Sequence, residues 1–518
     1  MQTWITHRGE VASRHGLVAA QNLEAAEAGA RVLAAGGNAV DAAVVTALSL
    51  AILEPWLSGI GGGGFLLWAP AGSRRVEALD FSVRAPAGID PADYPLVDGE
   101  ADGNWFAWPA VAEDRNVSGY PSICVPGTIA GLAEALERHG TLSFSEAIAP
   151  AIAFADRGMV VDWFSSLCLA IDARGLRRFP ASAALFLKDG EAPIAADGEG
   201  RLPMPGAAAT MRRLAARGPR DFYEGETAAL LVDDLAAGGN RITRADLAAY
   251  RPTWSEALIG TYRGREIAVV PGLGGGRSLL SALAHLEADW RPDGAPDAVS
   301  ALAQARAIRR AYCERLNRMG HAAAGGDCTS HLSVVDRHGN MVSLTNTILS
   351  RFGSKVVLPQ SGILMNNGMM WFDPRPDMPN SIAPGAQPLA NMCPVIEIDE
   401  TGPRLAIGAA GGRAIFPALA QLLSYRIDHG MNLERAFLEP RIDASTPTIR
   451  VNRAAAADVA AKIAGEFPVE IVSDTLYPVH FAIPSAVARD PATGLSVGMA
   501  HQTNPWAGVA REETFLAR

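Results

Sequence analysis

Thr329-Ser330-His331-Leu332-Ser333-Val334-Val335-Asp336-Arg337-His338-Gly339-Asn340-Met341-Val342-Ser343-Leu344-Thr345-Asn346-Thr347 reads as a tight β-hairpin. Apolar and polar residues mostly alternate in both arms, and the turn falls at His338-Gly339-Asn340. Pairing Arg337 with Asn340 sets Thr329 opposite position 348, beside Thr347. Two threonine hydroxyls therefore meet at the start of a strand deep inside the chain. A hydroxyl is a weak nucleophile until a base is placed next to it. Cutting the chain between Cys328 and Thr329 supplies that base, because the new α-amino group has a pKa of about 7.7–8.0, suited to proton transfer near neutrality.

Outward from the hairpin, other short motifs follow in a fixed order. They include Gly36-Gly37-Asn38-Ala39-Val40-Asp41, Glu54-Pro55, Ser58-Gly59-Ile60-Gly61-Gly62-Gly63-Gly64-Phe65 and Val125-Pro126-Gly127-Thr128. Further on come Asp246-Leu247-Ala248-Ala249-Tyr250, Gly260-Thr261-Tyr262-Arg263-Gly264, Gly362-Ile363-Leu364, Asn366-Asn367 and Gly411-Gly412. Together with Thr329 to Gly353, this series resembles the γ-glutamyltransferase family of N-terminal-nucleophile hydrolases over roughly Gly16 to Asp443. The resemblance implies an α+β fold, a four-layer αββα sandwich, made as one chain and self-cleaved. The expected segments are 1–328 and 329–518, both contributing to one αββα unit.

The resemblance also assigns roles. Thr329 is the expected nucleophile, Thr347 its hydroxyl partner, and Gly411-Gly412 the oxyanion hole. Arg84, Asn391, Trp371 and Asn367 are the expected substrate-binding residues. The positions that hold a γ-glutamyl group in the family depart here. The family's arginine aligns with Ser82, with Arg84 two residues on. Its ammonium-binding aspartate aligns with Trp371, and the glutamine before that with Gly368. A carboxylate-gripping serine pair aligns with Ala390-Asn391, and an asparagine with Leu349. Each change removes a charge or a hydrogen bond, and a buried ion without partners is costly. The expectation is retained acyl-enzyme chemistry with a changed acyl pocket, acting on a non-glutamyl or small carboxylated amide of oxamate or glutaryl type. A true γ-glutamyltransferase or glutathione hydrolase, and an inactive unprocessed scaffold, are the alternatives.

Composition narrows the partners. The formal net charge is −10, and no dense run of Lys or Arg exists. This excludes the basic face that a nucleic-acid backbone needs, and a polybasic membrane anchor. The expected partners are a small amide substrate, water or an amine acceptor, and the chain's own two fragments as a heterodimer. No cofactor is expected. Five cysteines without a CxxC pair, and ten scattered histidines, give neither a disulfide framework nor a metal cluster. No apolar run reaches the ~18 residues of a membrane span, and the first ten residues lack a signal-peptide core. The chain as given reads as cytoplasmic.

The coarse layout is helix over Gln21 to Ala35, then Asn38 capping a helix that runs to about Leu53, with Asp41 at its third position. A strand at Phe65 to Trp68 follows a glycine loop. Residues 93–121 read as irregular. Helical regions follow from about Gly127 to Tyr250, with Thr243 and Asp246 as a capping box. Arg265 to Val270 is a strand, and 320–327 reads as a flexible linker. Gly59-Ile60-Gly61-Gly62-Gly63-Gly64 fits GxGxxG literally, but it follows a helix and precedes a strand, the reverse of a dinucleotide site. Close backbone approach explains it better. His331 shares the Thr329 face, and its expected part is to support the hairpin.

Overall fold

The computed structural model of the chain describes residues 7–100, 109–195, 200–319 and 329–516. Cys328, the expected linker 320–327 and residues 1–6 lie outside the described residues. Two seven-stranded antiparallel sheets form the centre. The first runs in the order Gly508–Arg511, Leu17–Ala20, Ser330–Val335, Met341–Thr347, Gly63–Ala69, Glu77–Phe81, Thr253–Glu256. The second runs Val11–Ser13, Leu495–Ala500, Ile483–Asp490, Gly402–Ala410, Val395–Asp399, Arg265–Val269, Leu258–Tyr262. The hairpin thus lies in the middle of the first sheet.

Side-chain alternation along each strand sets the layers. Leu17, Ala19, Phe65 and Leu67 point inward and pack with Ala268, Ile396, Ala406 and Val487 of the second sheet. Their neighbours Val18, Ala20, Leu66 and Trp68 point outward, into the core beneath the helices Leu23–Ala34, Ala39–Leu53 and Thr128–His139. On the other side Ile267, Val269, Leu405 and Ile407 meet the helices Gly276–Asp289, Ala298–Met319 and Ile415–Ile427. Both faces of both sheets are therefore covered, and the order of layers is αββα. That is why strands such as Gly63–Ala69 are buried throughout and read as continuous apolar runs.

The helix Ala39–Leu53 is buried at every position. Its expected cap is present: the Asn38 side chain accepts from the amides of Val40 and Asp41, and Asp41 accepts from the Asn38 amide. The Asp41 carboxylate also accepts from the amides of Thr141 and Leu142, which ties the first two helical hairpins together. Residues 93–121 are less irregular than their composition suggests, since Leu96–Glu100 pairs with Pro109–Val111. No helix among the described residues is long and apolar enough to cross a membrane.

The hairpin register differs by one from the sequence expectation. Val335 pairs with Met341, and the Asp336 amide donates to the Asn340 carbonyl at 3.1 Å. This leaves a three-residue loop, Arg337-His338-Gly339, closed by Gly339 at φ 94°. The Asp336 carboxylate selects this loop by accepting from the amides of His338 and Asn340 at 2.9 and 3.0 Å. Carrying the register one residue past Ser330–Asn346 sets Thr329 opposite Thr347 itself. In an antiparallel pair, opposite residues share a face.

Candidate active site

A buried polar stripe runs along the inner face of the hairpin, between the two sheets. His331 Nδ1 lies 2.9 Å from Thr345 Oγ1, and its Nε2 lies 3.0 Å from Ser333 Oγ. Ser343 Oγ donates to the Ile407 carbonyl of the second sheet at 3.0 Å. Burial pushes the His331 pKa down to about 3, so the ring is neutral at pH 7. With both nitrogens engaged by neighbouring hydroxyls, His331 supports the hairpin, as its place in the sequence suggests.

Thr329 and Thr347 end this stripe, and both are buried. The Thr347 hydroxyl accepts from the Leu349 amide at 2.8 Å, and Leu349 adopts a left-handed φ of 84°. Asn367 fixes the same bend. Its side-chain oxygen accepts from the Ser350 amide, and its nitrogen donates to Ser350 Oγ and to the Val117 carbonyl. The glycine run packs behind: a Cβ on Gly62 would sit 2.0 Å from the Thr347 carbonyl oxygen. This close approach, rather than a phosphate, explains the glycines at this site.

Gly411 follows the strand Gly402–Ala410 with φ 129°, a conformation that side chains rarely adopt. Gly412 then opens a 3-10 turn that runs into the helix Ile415–Ile427. The first amides of such a turn have no acceptor within it and carry the positive end of the helix dipole. Thr329 and Gly411 line one cleft of about 370 Å³. Its lining includes Trp56, Leu57, Phe164 and Ile171, together with Asp443, Arg450 and the segment 474–481. The arrangement places a hydroxyl and an N–H donor turn on the same cavity, which is what acyl transfer through an oxyanion requires.

The four expected substrate-binding residues do not line this cleft. Arg84 pairs through its backbone with Val125, at 3.2 and 2.8 Å. Trp371 is 1% exposed, and its indole N–H has no hydrogen-bond partner among the described residues. Asn391 Oδ1 accepts from Arg315 at 3.2 Å. Four of the positions expected from the sequence to face a γ-glutamyl group nevertheless come together. Leu349, Trp371 and Ala390 belong to one buried apolar cluster with Val83, Cys124 and Met392. Gly368 packs against Cys124 and Val83 of the same cluster.

The cleft residues Trp56, Phe164, Asp443, Arg450 and 474–481 were not singled out from the sequence. They come from separate stretches of chain, and only Trp56, next to Glu54-Pro55, stood beside a motif. Glu54, quoted from the sequence only as part of a motif, proves to be a buried acid. It is fully buried, and among the described residues neither carboxylate oxygen has a hydrogen-bond partner of ordinary geometry. Burial pushes its pKa up to about 8, with nearby Asn504 offsetting part of the rise. Among the described residues no group of three or more His, Cys, Asp or Glu is placed to hold a metal ion.

Comparison with known proteins gives four findings. The family model described as Gamma-glutamyltranspeptidase matches residues 25–328 and 315–501. The Acylase ACY 1 proenzyme of Pseudomonas sp. (strain SE83) is 34% identical over 473 residues, covering 84% of this chain and 82% of that protein. The glutathione hydrolase proenzyme of Bacillus subtilis (strain 168) is 30% identical over 485 residues, covering 83% and 80%. Among solved structures, cephalosporin acylase from Bacillus halodurans superposes with a TM-score of 0.86 at 26% identity, over 99% of this chain and 98% of that one.

Proposed function

This chain belongs to the gamma-glutamyltranspeptidase family of N-terminal-nucleophile hydrolases, and from that premise we propose that it is a self-processing amide hydrolase or acyltransferase with Thr329 as nucleophile and a changed acyl preference. In the first step the Thr329 hydroxyl attacks the Cys328 carbonyl, and the peptide C–N bond breaks as the ester forms. Breaking that bond leaves the Thr329 α-amino group free, and water then opens the ester, which restores the Thr329 hydroxyl and leaves Cys328 with a carboxylate. That amine, with a pKa of about 7.7–8.0, takes the hydroxyl proton when Thr329 attacks an amide substrate. Thr347, directly opposite, orients the Thr329 oxygen through its own hydroxyl. The amides of Gly411 and Gly412 hold the oxyanion, where losing one donor costs ~2.7–4 kcal/mol. The acyl group passes to Thr329 and the amine leaves. Water or a second amine then releases the acyl group. That both curated relatives are named proenzymes supports the processing step.

The acyl preference rests on one observation. The positions expected to hold a γ-glutamyl ammonium and carboxylate are Ser82, Leu349, Gly368, Trp371, Ala390 and Asn391, and four of them, Leu349, Gly368, Trp371 and Ala390, lie in or against one apolar cluster. An ammonium placed there would lose its hydration without gaining a carboxylate. The pocket therefore suits an acyl group without the α-ammonium, such as a glutaryl or oxamate-type group, with Arg84 and Asn391 as the polar contacts. The test compares kcat/KM for a glutaryl anilide and a γ-glutamyl anilide. We expect the glutaryl compound to be turned over at least as well. A strong γ-glutamyl preference contradicts the reading and makes the protein a glutathione-hydrolase-type enzyme.

A further inference from the structure

The cleft beside Thr329 has a shape and lining that a small acyl group does not use. One wall is a rigid aromatic set. Trp56 and Phe164 meet edge to face at 5.9 Å, and both pack on Trp506, at 5.3 and 5.4 Å. Leu57, Leu167 and Ile171 extend that wall. Another part of the lining is the connection between the strands Val469–Val472 and Ile483–Asp490, of which every residue from Asp474 to Phe481 lines the cleft.

That connection is anchored at its base and apolar at its tip. Arg441, buried, donates to the Ala482 carbonyl at 3.0 Å and meets His501 Nε2 at 3.0 Å. His501 Nδ1 in turn lies 2.8 Å from Thr503 Oγ1. Ala482 packs directly against Gly411, where an added Cβ would come within 2.7 Å of its Cα. Leu476 reaches across to the core that holds Trp56 and Phe164. Tyr477 and Val479 at the tip are 53% and 40% exposed. Exposed apolar side chains gathered at the mouth of a cavity mark a ligand-binding rim more often than an idle surface.

The two arginines in the cleft already face carboxylates. Arg351 pairs with Asp172 at 2.7 Å. Arg450 lies 3.2 Å from Glu470 and 3.9 Å from Asp443. The cavity thus calls for a neutral group rather than a carboxylate. Its volume of about 370 Å³ falls in the range of sites that enclose drug-sized ligands.

We propose that this cleft recognises a neutral apolar or aromatic arm on the amine side of the scissile amide, with Tyr477 and Val479 as specificity-determining residues. The inference rests on the acyl-enzyme reading above, since the small carboxylated acyl group assigned there leaves the apolar cleft to the amine. An amine arm seated between Trp56 and Tyr477 leaves with its nitrogen when the acyl group passes to Thr329. The same cleft would receive an apolar amine as acceptor.

Two glutaryl amides test it, the hexylamide and the methylamide. Their amines are about equally basic, so leaving-group chemistry cancels in the ratio of kcat/KM. We expect the hexylamide to be favoured about tenfold or more, a modest share of what burying the extra methylenes can supply. The double variant Tyr477→Ser/Val479→Ser should bring the ratio down toward one, mainly through KM. A parallel measurement follows tryptophan fluorescence of the full-length Thr329→Ala protein on titration with N-hexylacetamide and N-methylacetamide. Saturable quenching by the hexyl compound, weakened by the tip substitutions, supports the cleft assignment even if no glutaryl amide is hydrolysed, in which case the acyl reading falls alone. Turnover with a ratio near one overturns the cleft assignment and leaves the acyl reading standing. Neither turnover nor hexyl-dependent quenching overturns both.

Discussion

Thr347 carries the sharpest single-residue expectation. The hairpin register, carried one residue on, sets it opposite Thr329, and its hydroxyl accepts from the Leu349 amide. Thr347→Val keeps the shape and removes the hydroxyl, so kcat should fall by ~10²–10⁴; unchanged turnover would show that the facing pair has no part in the reaction. Glu54 gives a pH prediction. Its folded pKa of about 8 lies above the ordinary value of 4.5, because burial disfavours the charge. Between those values the unfolded chain has lost a proton that the folded chain keeps, so stability falls as pH rises through that window. Glu54→Gln should remove this slope and stabilise the fold at pH 8 by an amount on the order of a few kcal/mol, with no gain at pH 4. Melting temperatures of both proteins at the two pH values check it; parallel curves would mean that Glu54 is paired. At this scale the nucleophile, its partner threonine and the glycine pair were legible, because each sits in a contiguous motif. The aromatic wall and the 474–481 segment were not, because the fold assembles them from distant segments with no common spacing. Neither was the burial of Glu54, although Glu54-Pro55 stands as a motif, because it depends on parts of the chain as distant as Asn504.

The hairpin shows how far an element can be read. Its existence and strand content followed from alternation, but its register was displaced by one residue. The alternation is compatible with several turns, and the choice was made by a carboxylate: Asp336 accepts from two loop amides, from Asn340 Nδ2 at 2.6 Å and from the Ala39 amide at 3.2 Å. Asp336→Ala should therefore cost roughly 3 kcal/mol, since four donors to a charged acceptor, one of them buried, lose their partner. The urea midpoint should drop, and Asp336→Asn should recover part of it. An unshifted midpoint in Asp336→Ala would mean that the turn is fixed by Gly339 alone. The cap on Ala39–Leu53 was legible down to its third residue, because Asn38 and Asp41 act locally. The pairing of Leu96–Glu100 with Pro109–Val111 was hidden by a composition rich in Pro, Asp and Trp.

For the whole molecule, the layer order could be named from resemblance but not built from periodicity, because strands buried on both faces lose the alternation that tells inside from outside. The hairpin and its neighbours show the consequence. The segment beginning at Thr329 supplies both central strands of the first sheet, while Leu17–Ala20 and Gly63–Ala69 on either side come from the segment before it. The two fragments should thus remain associated after cleavage and elute together under native conditions. The most direct test of the account is the intact mass and N-terminal sequence of the purified, active protein. The account predicts two fragments, residues 1–328 and 329–518, the second beginning with threonine, and a Thr329→Ala variant that stays one chain and hydrolyses nothing. An active wild-type protein found as a single uncleaved 518-residue chain would contradict it.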